Sequence, residues 1–303
     1  MQDTIPLTLV PSRESEAVVA PHSYYDEVWQ RFRQDRTAVV SLGVLVLIVV
    51  CAAAAPLLTS HDPLQGDIAH RLLSIGTAGH ILGTDEQGRD MLARLLYGAR
   101  LSLLAGIVPV FLATIIGTAI GTVSGYAGRV IGAVLMRIMD VCYAFPAILL
   151  AIAMVASLGA GVANSILALS IVFIPPIARV AESATRQIVV QEYIEAARVS
   201  GASTFLVIVD QLLPNVFSPI FVYASGLVGL SIVAASGLSY LGLGAAPPTP
   251  EWGAMLNSLQ ASIYVQPVVV ALPGFFIFVT SVAFNVLSNT LRDALDVKGT
   301  TRN

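Results

Sequence analysis

The sequence is short of charge: Lys, Arg, Asp and Glu make up 12% of its 303 residues, about half the roughly 25% usual in soluble domains. Lysine is nearly missing, Lys298 being the sole example, and the net charge is -3. No basic footprint for a nucleic acid follows from that balance. The two cysteines, Cys51 and Cys142, both lie inside apolar stretches, which excludes a disulfide framework and reads as small apolar packing.

Each shortage removes a chemistry. A phosphate-cradling loop needs a lysine preceded by glycine, and Lys298 follows Asp296-Val297, so the chain is not expected to hydrolyse ATP by itself. Gly237-Leu238-Ser239 hints at a nucleophile turn, but no histidine follows His80 to serve as its base. An intramembrane aspartyl pair needs two embedded acids, and only Asp140 is found. His61, His70 and His80 share a hydrophilic segment with Asp62 and Asp67, yet their spacings of nine and ten residues match no short ligand motif. No metal site and no cofactor site is expected in this chain.

What the sequence has is long runs free of charge. Hydrophobic residues reach 56%, and uncharged stretches cover Ala38 to Leu58, Leu101 to Gly128, Val141 to Ala178, Gln211 to Pro250 and Trp252 to Leu291. A bilayer core needs roughly 20 apolar helical residues. Gly and Pro punctuation at 157–161 and 237–253 divides the long runs, giving six expected spans at about 38–58, 101–124, 133–157, 162–181, 213–235 and 267–290. The expected class is therefore an all-α polytopic membrane protein with its first span retained, since 37 residues carrying charges of both signs precede an uncharged run too long for a cleavable signal.

Basic residues favour the cytoplasmic side. With both termini cytoplasmic, that side holds Arg13, Arg31, Arg33, Arg36, Arg129, Arg137, Arg179, Arg186, Arg198, Arg292, Lys298 and Arg302. The exceptions, Arg71, Arg89, Arg94 and Arg100, all fall in one outer segment among Asp62, Asp67, Asp85, Glu86 and Asp90. Arg137 and Asp140, three residues apart, are expected to form an ion pair at a span end, with a gate or subunit contact as the functional alternative. Gly117, Gly121 and Gly125 line one helical face and form a close-packing seam, within the chain or with a partner.

The most informative stretch lies between the fourth and fifth spans. Gln191 to Ala202, then Leu206 to Val209, then Leu213-Pro214 read as a helix, a glycine break, a second helix and a proline that opens a span. Ala196 and Ala197 let a partner approach, and Glu195 offers a carboxylate for a bidentate arginine. Ala202, Phe205, Leu206, Ile208 and Val209 are expected to root the second helix. Glu195-Ala196-Ala197, with Gly201 six residues on and Leu213-Pro214 beyond, resembles the EAA loop of binding-protein-dependent ABC importers, the permease element that docks into the ATPase subunit.

Four further stretches resemble the C-type permease of dipeptide/oligopeptide importers: Arg31 to Arg36, His80 to Asp90 with Tyr97 to Arg100, Leu238 to Gly253, and Leu291 to Asp296. The resemblance implies a type I importer (MetI-like) permease fold. It divides the chain into a cytoplasmic tail (1–36), a first span with its extracytoplasmic segment (37–100), a permease domain (101–291) with its coupling loop at 182–212, and a second tail (292–303). It implies a non-catalytic subunit of a bacterial inner membrane importer for di- or oligopeptides, with nickel, haem or another solute as alternatives and a stand-alone carrier or channel as a competing class. Implied partners are a second permease, two ATPase subunits that bind ATP and Mg, an extracytoplasmic peptide-binding protein and membrane lipid. Glu195, Ala196, Ala197, Gly201, Ala202, Leu213 and Pro214 would couple to the ATPase. Asp85, Gly88, Arg89, Asp90, Pro248 and Trp252 would face the binding protein.

Overall fold

The computed structural model describes residues 32–295. The expectations placed on Arg13, Arg31, Lys298, Arg302 and most of both tails lie outside them. Among the described residues there is no strand, only three isolated bridges at Gly66–Arg89, Thr77–His80 and Thr84–Asp90. The helices of eight residues or more are α1 (Arg36–Ala53), α2 (Met91–Tyr126), α3 (Arg129–Tyr143), α4 (Ala147–Leu158), α5 (Val162–Val189), α6 (Glu192–Val199), α7 (Leu213–Tyr240), α8 (Trp252–Leu259) and α9 (Pro267–Leu295).

Five helical segments are long and apolar enough to cross a membrane: α1, α2, α5, the rod Thr204–Tyr240 that contains α7, and α9. The sixth span is present as a broken one. Helices α3 and α4 pass the same test only together and are bent by 84°, where a continuous helix over 133–157 was expected. The cause is local: Pro146 has no N–H, and it disfavours helical geometry at Phe145 before it. The chain turns at Ala144–Phe145, and Pro146 becomes the N-cap of α4.

Other spans are longer than the charge-free runs suggested. Helix α2 starts ten residues before 101 because Asp90 caps it, its Oδ2 accepting from Ala93 N–H at 2.8 Å, and because Arg94 and Arg100 find acceptors inside the fold. Helix α5 likewise runs on to Val189 and carries Arg179 and Arg186.

Helices α2, α5 and α7 form the centre, with α9 and α8 against α7 and α1 against α9 and α2. The glycine seam of α2 is an internal one. A Cβ at Gly121 would collide with the Ala178 carbonyl oxygen, and one at Gly125 would fall 2.7 Å from Thr185 Cβ. Leu169, Ile177, Ile220, Ile232 and Leu238 are fully buried around this contact. The outer surface is apolar instead, with Val40, Leu47, Phe111, Phe275 and Phe278 each at least 60% exposed, a surface suited to lipid or to other subunits.

Successive spans alternate in direction, which gives the molecule two ends. Segment 59–90, loop 241–251 and the Gly161–Leu243 backbone bond mark one, here termed the cap end. Helix α6, the close of α2 at Tyr126, and the Asp35–Thr290 hydrogen bond of 2.9 Å mark the other, the elbow end. Asp35 caps α1 there, and the Thr37 hydroxyl, followed by the Thr290 hydroxyl and the Thr37 N–H, holds its carboxyl below the usual carboxylate range.

Candidate functional site

At the elbow end, α6 is one short helix closed by a glycine. Gly201 has φ +82°, a conformation that costs any side-chain-bearing residue about 1–2 kcal/mol. A Cβ there would meet nothing within 4 Å, so the backbone angle, not space, selects glycine. Gly201 N–H donates to Arg198 O at 3.0 Å and Ala202 N–H to Ala197 O at 3.1 Å, the bond pair of a Schellman motif.

This elbow has its own small core. Ile194, Val207 and Leu212 are fully or almost fully buried together, with Tyr126, Ile188, Val189, Ala197, Ala202 and Ile208 packed on them. The expected apolar block is therefore split. Ala202 and Ile208 do root the second helix, but Phe205, Leu206 and Val209 are 74%, 50% and 38% exposed. Helical periodicity turns them away from the core once Val207 is set inward. Arg198 adds a second tie, its guanidinium 4.8 Å from the centroid of the Tyr126 ring.

Of the coupling candidates, Glu195, Ala196 and Gly201 lie on the open surface, Ala197, Ala202 and Leu213 are half-buried, and Pro214 is exposed. Pro214 does not start a new helix. It has no N–H for the Asp210 carbonyl, and the preceding turn, Val207–Leu212, widens to π-helical bonding, Leu213 N–H donating to Ile208 O. Elbow and span are thus one continuous rod from Thr204 to Tyr240.

The cap end is organised differently, and most of the residues assigned to an outward-facing role turn inward. Asp85, Arg89, Asp90 and Trp252 are at most 4% exposed. Asp85 Oδ2 pairs with Arg89 Nε at 2.6 Å and with Arg94 Nε at 3.3 Å, while its Oδ1 accepts from the N–H groups of Gln87 and Arg89 at 2.9 Å. Arg94 Nη1 also donates to the carbonyls of Pro63 at 3.0 Å and Pro248 at 3.3 Å, stapling three segments together. Pro248 itself is exposed. Gly88 is buried with φ +74°, and a Cβ there would collide with the Asp67 carbonyl. Pairing and backbone acceptors replace water for most of these buried groups, with Arg89 Nη1 and Glu86 Oε2 left without a hydrogen-bond partner.

Trp252 opens α8 behind the N-cap Glu251, whose Oε1 accepts from Ser102 Oγ at 2.9 Å and from Gly253 N–H at 3.0 Å. Its Oε2 accepts from Ala254 N–H at 2.9 Å, and Trp252 Nε1 donates to Leu95 O at 3.1 Å. Arg100 donates to Ala52 O at 2.6 Å and Ala53 O at 3.0 Å at the end of α1. Of the four arginines that contradicted the charge rule, Arg89 and Arg94 are buried inside the cap, Arg100 is exposed but tied to the end of α1, and Arg71 is exposed. Glu251, Ser102 and the role of Arg94 had no sequence signal, because their partners lie 31 to 154 residues away.

The fold also gathers three histidines that linear spacing kept apart. The ring centroid of His80 lies 5.0 Å from that of His61 and 6.5 Å from that of His70. His80 Nδ1 bonds Asp90 at 2.9 Å and His70 Nδ1 bonds Asp67 at 2.8 Å. The Ala69 N–H, then His70, hold the Asp67 carboxyl below its ordinary range. Among the described residues, no group of three or more His, Cys, Asp or Glu side chains is placed to hold a metal ion. The expected Arg137–Asp140 pair is not formed. Asp140 pairs with Arg179 of α5 instead, since a neighbouring helix offers a guanidinium in better reach than the same helix three residues back.

Comparison with known proteins follows the same outline. Residues 117–298 match the family described as binding-protein-dependent transport system inner membrane component, and residues 23–74 match the N-terminal TM domain of oligopeptide transport permease C. The chain is 40% identical over 292 residues to the glutathione transport system permease protein GsiD of Pectobacterium atrosepticum, covering 96% of each. It is 41% identical over 292 residues to GsiD of Escherichia coli O6:K15:H31, covering 96% of this chain and 95% of that one. A chain from an inward-facing crystal form of the MetNI methionine ABC transporter superposes on 66% of this chain and 97% of its own length, with a TM-score of 0.50 and 20% identity, a likeness of fold.

Proposed function

Because this chain belongs to the inner membrane components of binding-protein-dependent transport systems, and so is a permease subunit of an ABC importer, we propose that it carries peptides and that α6 is the surface through which ATP hydrolysis drives it. A permease of this kind works with a partner permease, ATPase subunits and a binding protein, in the inner membrane. In this reading the elbow end faces the cytoplasm, both termini lie there, and ATP and Mg are bound by the ATPase subunits alone. The cap end faces the binding protein, presenting Pro248 and its neighbours while Asp85, Gly88, Arg89, Asp90 and Trp252 hold that surface in shape.

One observation carries the coupling assignment. Glu195 and Ala196 are exposed on a helix fixed at one end by a Schellman turn and at its base by Ile194, Val207 and Leu212. A carboxylate beside a small residue, on a firm footing between two spans, suits close approach by a partner with an arginine to offer. Peptide as the cargo is supported by relatives named for glutathione, a tripeptide.

The test is ATP-driven peptide uptake by the complete importer in proteoliposomes. Glu195→Ala should leave the complex assembled and thermally unchanged while uptake falls by about tenfold, the loss of one hydrogen bond to a charged group. Undiminished uptake by that variant would refute the coupling role.

A further inference from the structure

One pair of charges sits between helices without being buried. Asp140 of α3 and Arg179 of α5 form an ion pair between helices, with side chains 40% and 57% exposed. Arg179 stands ten residues before the end of α5 at Val189, about 15 Å along the helix at 1.5 Å per residue, and Pro175 and Pro176, one turn earlier, lie near its middle. Charged groups at such a depth face a bundle interior or a water-filled space, not lipid. The face bearing this pair is therefore not a lipid face.

Beside the pair lies a cleft of about 360 Å³, within the size range of small-molecule sites. Its lining includes Cys142, Tyr143, Phe145, Pro175, Pro176 and Tyr223. Tyr143, Phe145, Pro146 and Ala147 bring the 84° break between α3 and α4 into its wall. Tyr143 is three residues after Asp140, and Pro175 and Pro176 are four and three before Arg179, so each wall of the cleft carries one member of the ion pair a single helical turn away. Arg137, one turn from Asp140 on the other side, is exposed and has no polar partner among the described residues.

We propose that this cleft is a solute-binding site on the transport path and that it takes a small zwitterionic, peptide-like solute. The solute carboxylate exchanges for Asp140 on Arg179, with Arg137 as a second donor, and its ammonium group takes the place of Arg179 on Asp140. Tyr143, Phe145 and Tyr223 receive the apolar part. The resident ion pair keeps both charges matched when the site is empty, and the solute keeps them matched when it is filled, so neither state leaves an unmatched charge beside the cleft. The inference rests on the permease reading and adds the place and chemistry of recognition to it.

Cys142 provides the test. In a Cys51→Ser importer complex in proteoliposomes, a cationic methanethiosulfonate should modify Cys142, modification should abolish uptake of trialanine and glutathione, and either peptide should slow the modification. Asp140→Asn and Arg179→Gln should each lower uptake by about tenfold or more, as for a lost charged hydrogen bond. The exchanged pair, Asp140→Arg with Arg179→Asp, should not restore it. A Cys142 inert to the charged reagent, or full recovery in the exchanged pair, overturns the proposal and makes the ion pair a strut between α3 and α5. The labelling is read with both charges in place, so it does not depend on the variants folding. If the unmodified complex shows no ATP-driven uptake, the permease reading itself fails. Uptake with an unreactive Cys142 sinks the cleft alone.

Discussion

At the cap end, Asp85, Arg89, Asp90, Arg94 and Glu251 are buried, Asp85 pairing with Arg89 and Arg94, Asp90 with His80, and Glu251 bonding Ser102 and backbone N–H groups. At the elbow end, Glu195, Arg198, Val199 and Phe205 lie on the surface above three fully buried side chains. Both regions are loops between spans, and both hold more charge than the helices they join. The cap spends its charges on itself and becomes a rigid lid to the bundle. The elbow leaves its charges and apolar side chains on the open surface. A loop whose polar groups are matched internally reads as scaffold, and one whose groups are not reads as interface.

The comparison breaks most visibly if a cap charge is removed. Asp85→Ala leaves Arg89 and Arg94 buried without their carboxylate, and loss of one partner from a buried pair costs about 3–5 kcal/mol. A large fall in the thermal midpoint of the purified complex is expected, with uptake lost only in proportion to folded protein. A midpoint that does not move would mean that the cap is held by something other than these pairs.

The next effect sharpens the contrast at the elbow. Gly201→Val forces a β-branched residue to φ +82°, a local cost of about 1–2 kcal/mol that distorts the end of α6 more than it unfolds the bundle. Uptake should drop while the thermal midpoint stays close to that of the native protein, the reverse of the cap variant. Gly201→Asn, which tolerates this conformation better, should recover much of the uptake. Equal loss in both would shift the explanation from backbone to side chain.

The smallest effect concerns the rim of the cap. Asp67 has a lowered folded-state value because the Ala69 N–H and His70 bond its carboxylate. Its contribution is therefore fully present above the unfolded aspartate value of about 3.9 and is lost as pH falls through the lower folded value. The stability difference between native protein and Asp67→Asn should be constant from pH 7 to pH 5 and shrink below about pH 4. A difference that does not shrink below about pH 4 would show that Asp67 makes no such contribution.

The spans were legible in the sequence because the charge-free runs are governed by membrane thickness, which acts on every residue alike. The family resemblance and the elbow were legible because Glu195-Ala196-Ala197, Gly201 and Pro214 are close in sequence and each acts through local backbone geometry. The cap was misread for the opposite reason. Asp85 and Arg89 look like surface charges until Arg94, Pro63 and Pro248 are seen to converge on them from three segments. Asp140 was likewise assigned the arginine nearest in sequence, where the fold brings Arg179 from 39 residues away. Periodicity gives a helix its faces but not its neighbours, and it could not foresee that Pro146 turns one expected span into two pieces.

Helix α2 belongs to both regions. Asp90 and Arg94 fix its start in the cap, the glycine seam clamps its middle to α5, and Tyr126 at its close lies against Arg198 of the elbow. Its 36 residues make a lever about 54 Å long, so a pivot of about 5° at the cap sweeps Tyr126 through about 5 Å. In the coupling reading proposed above, a large displacement at the elbow therefore reaches the cap as a small rotation.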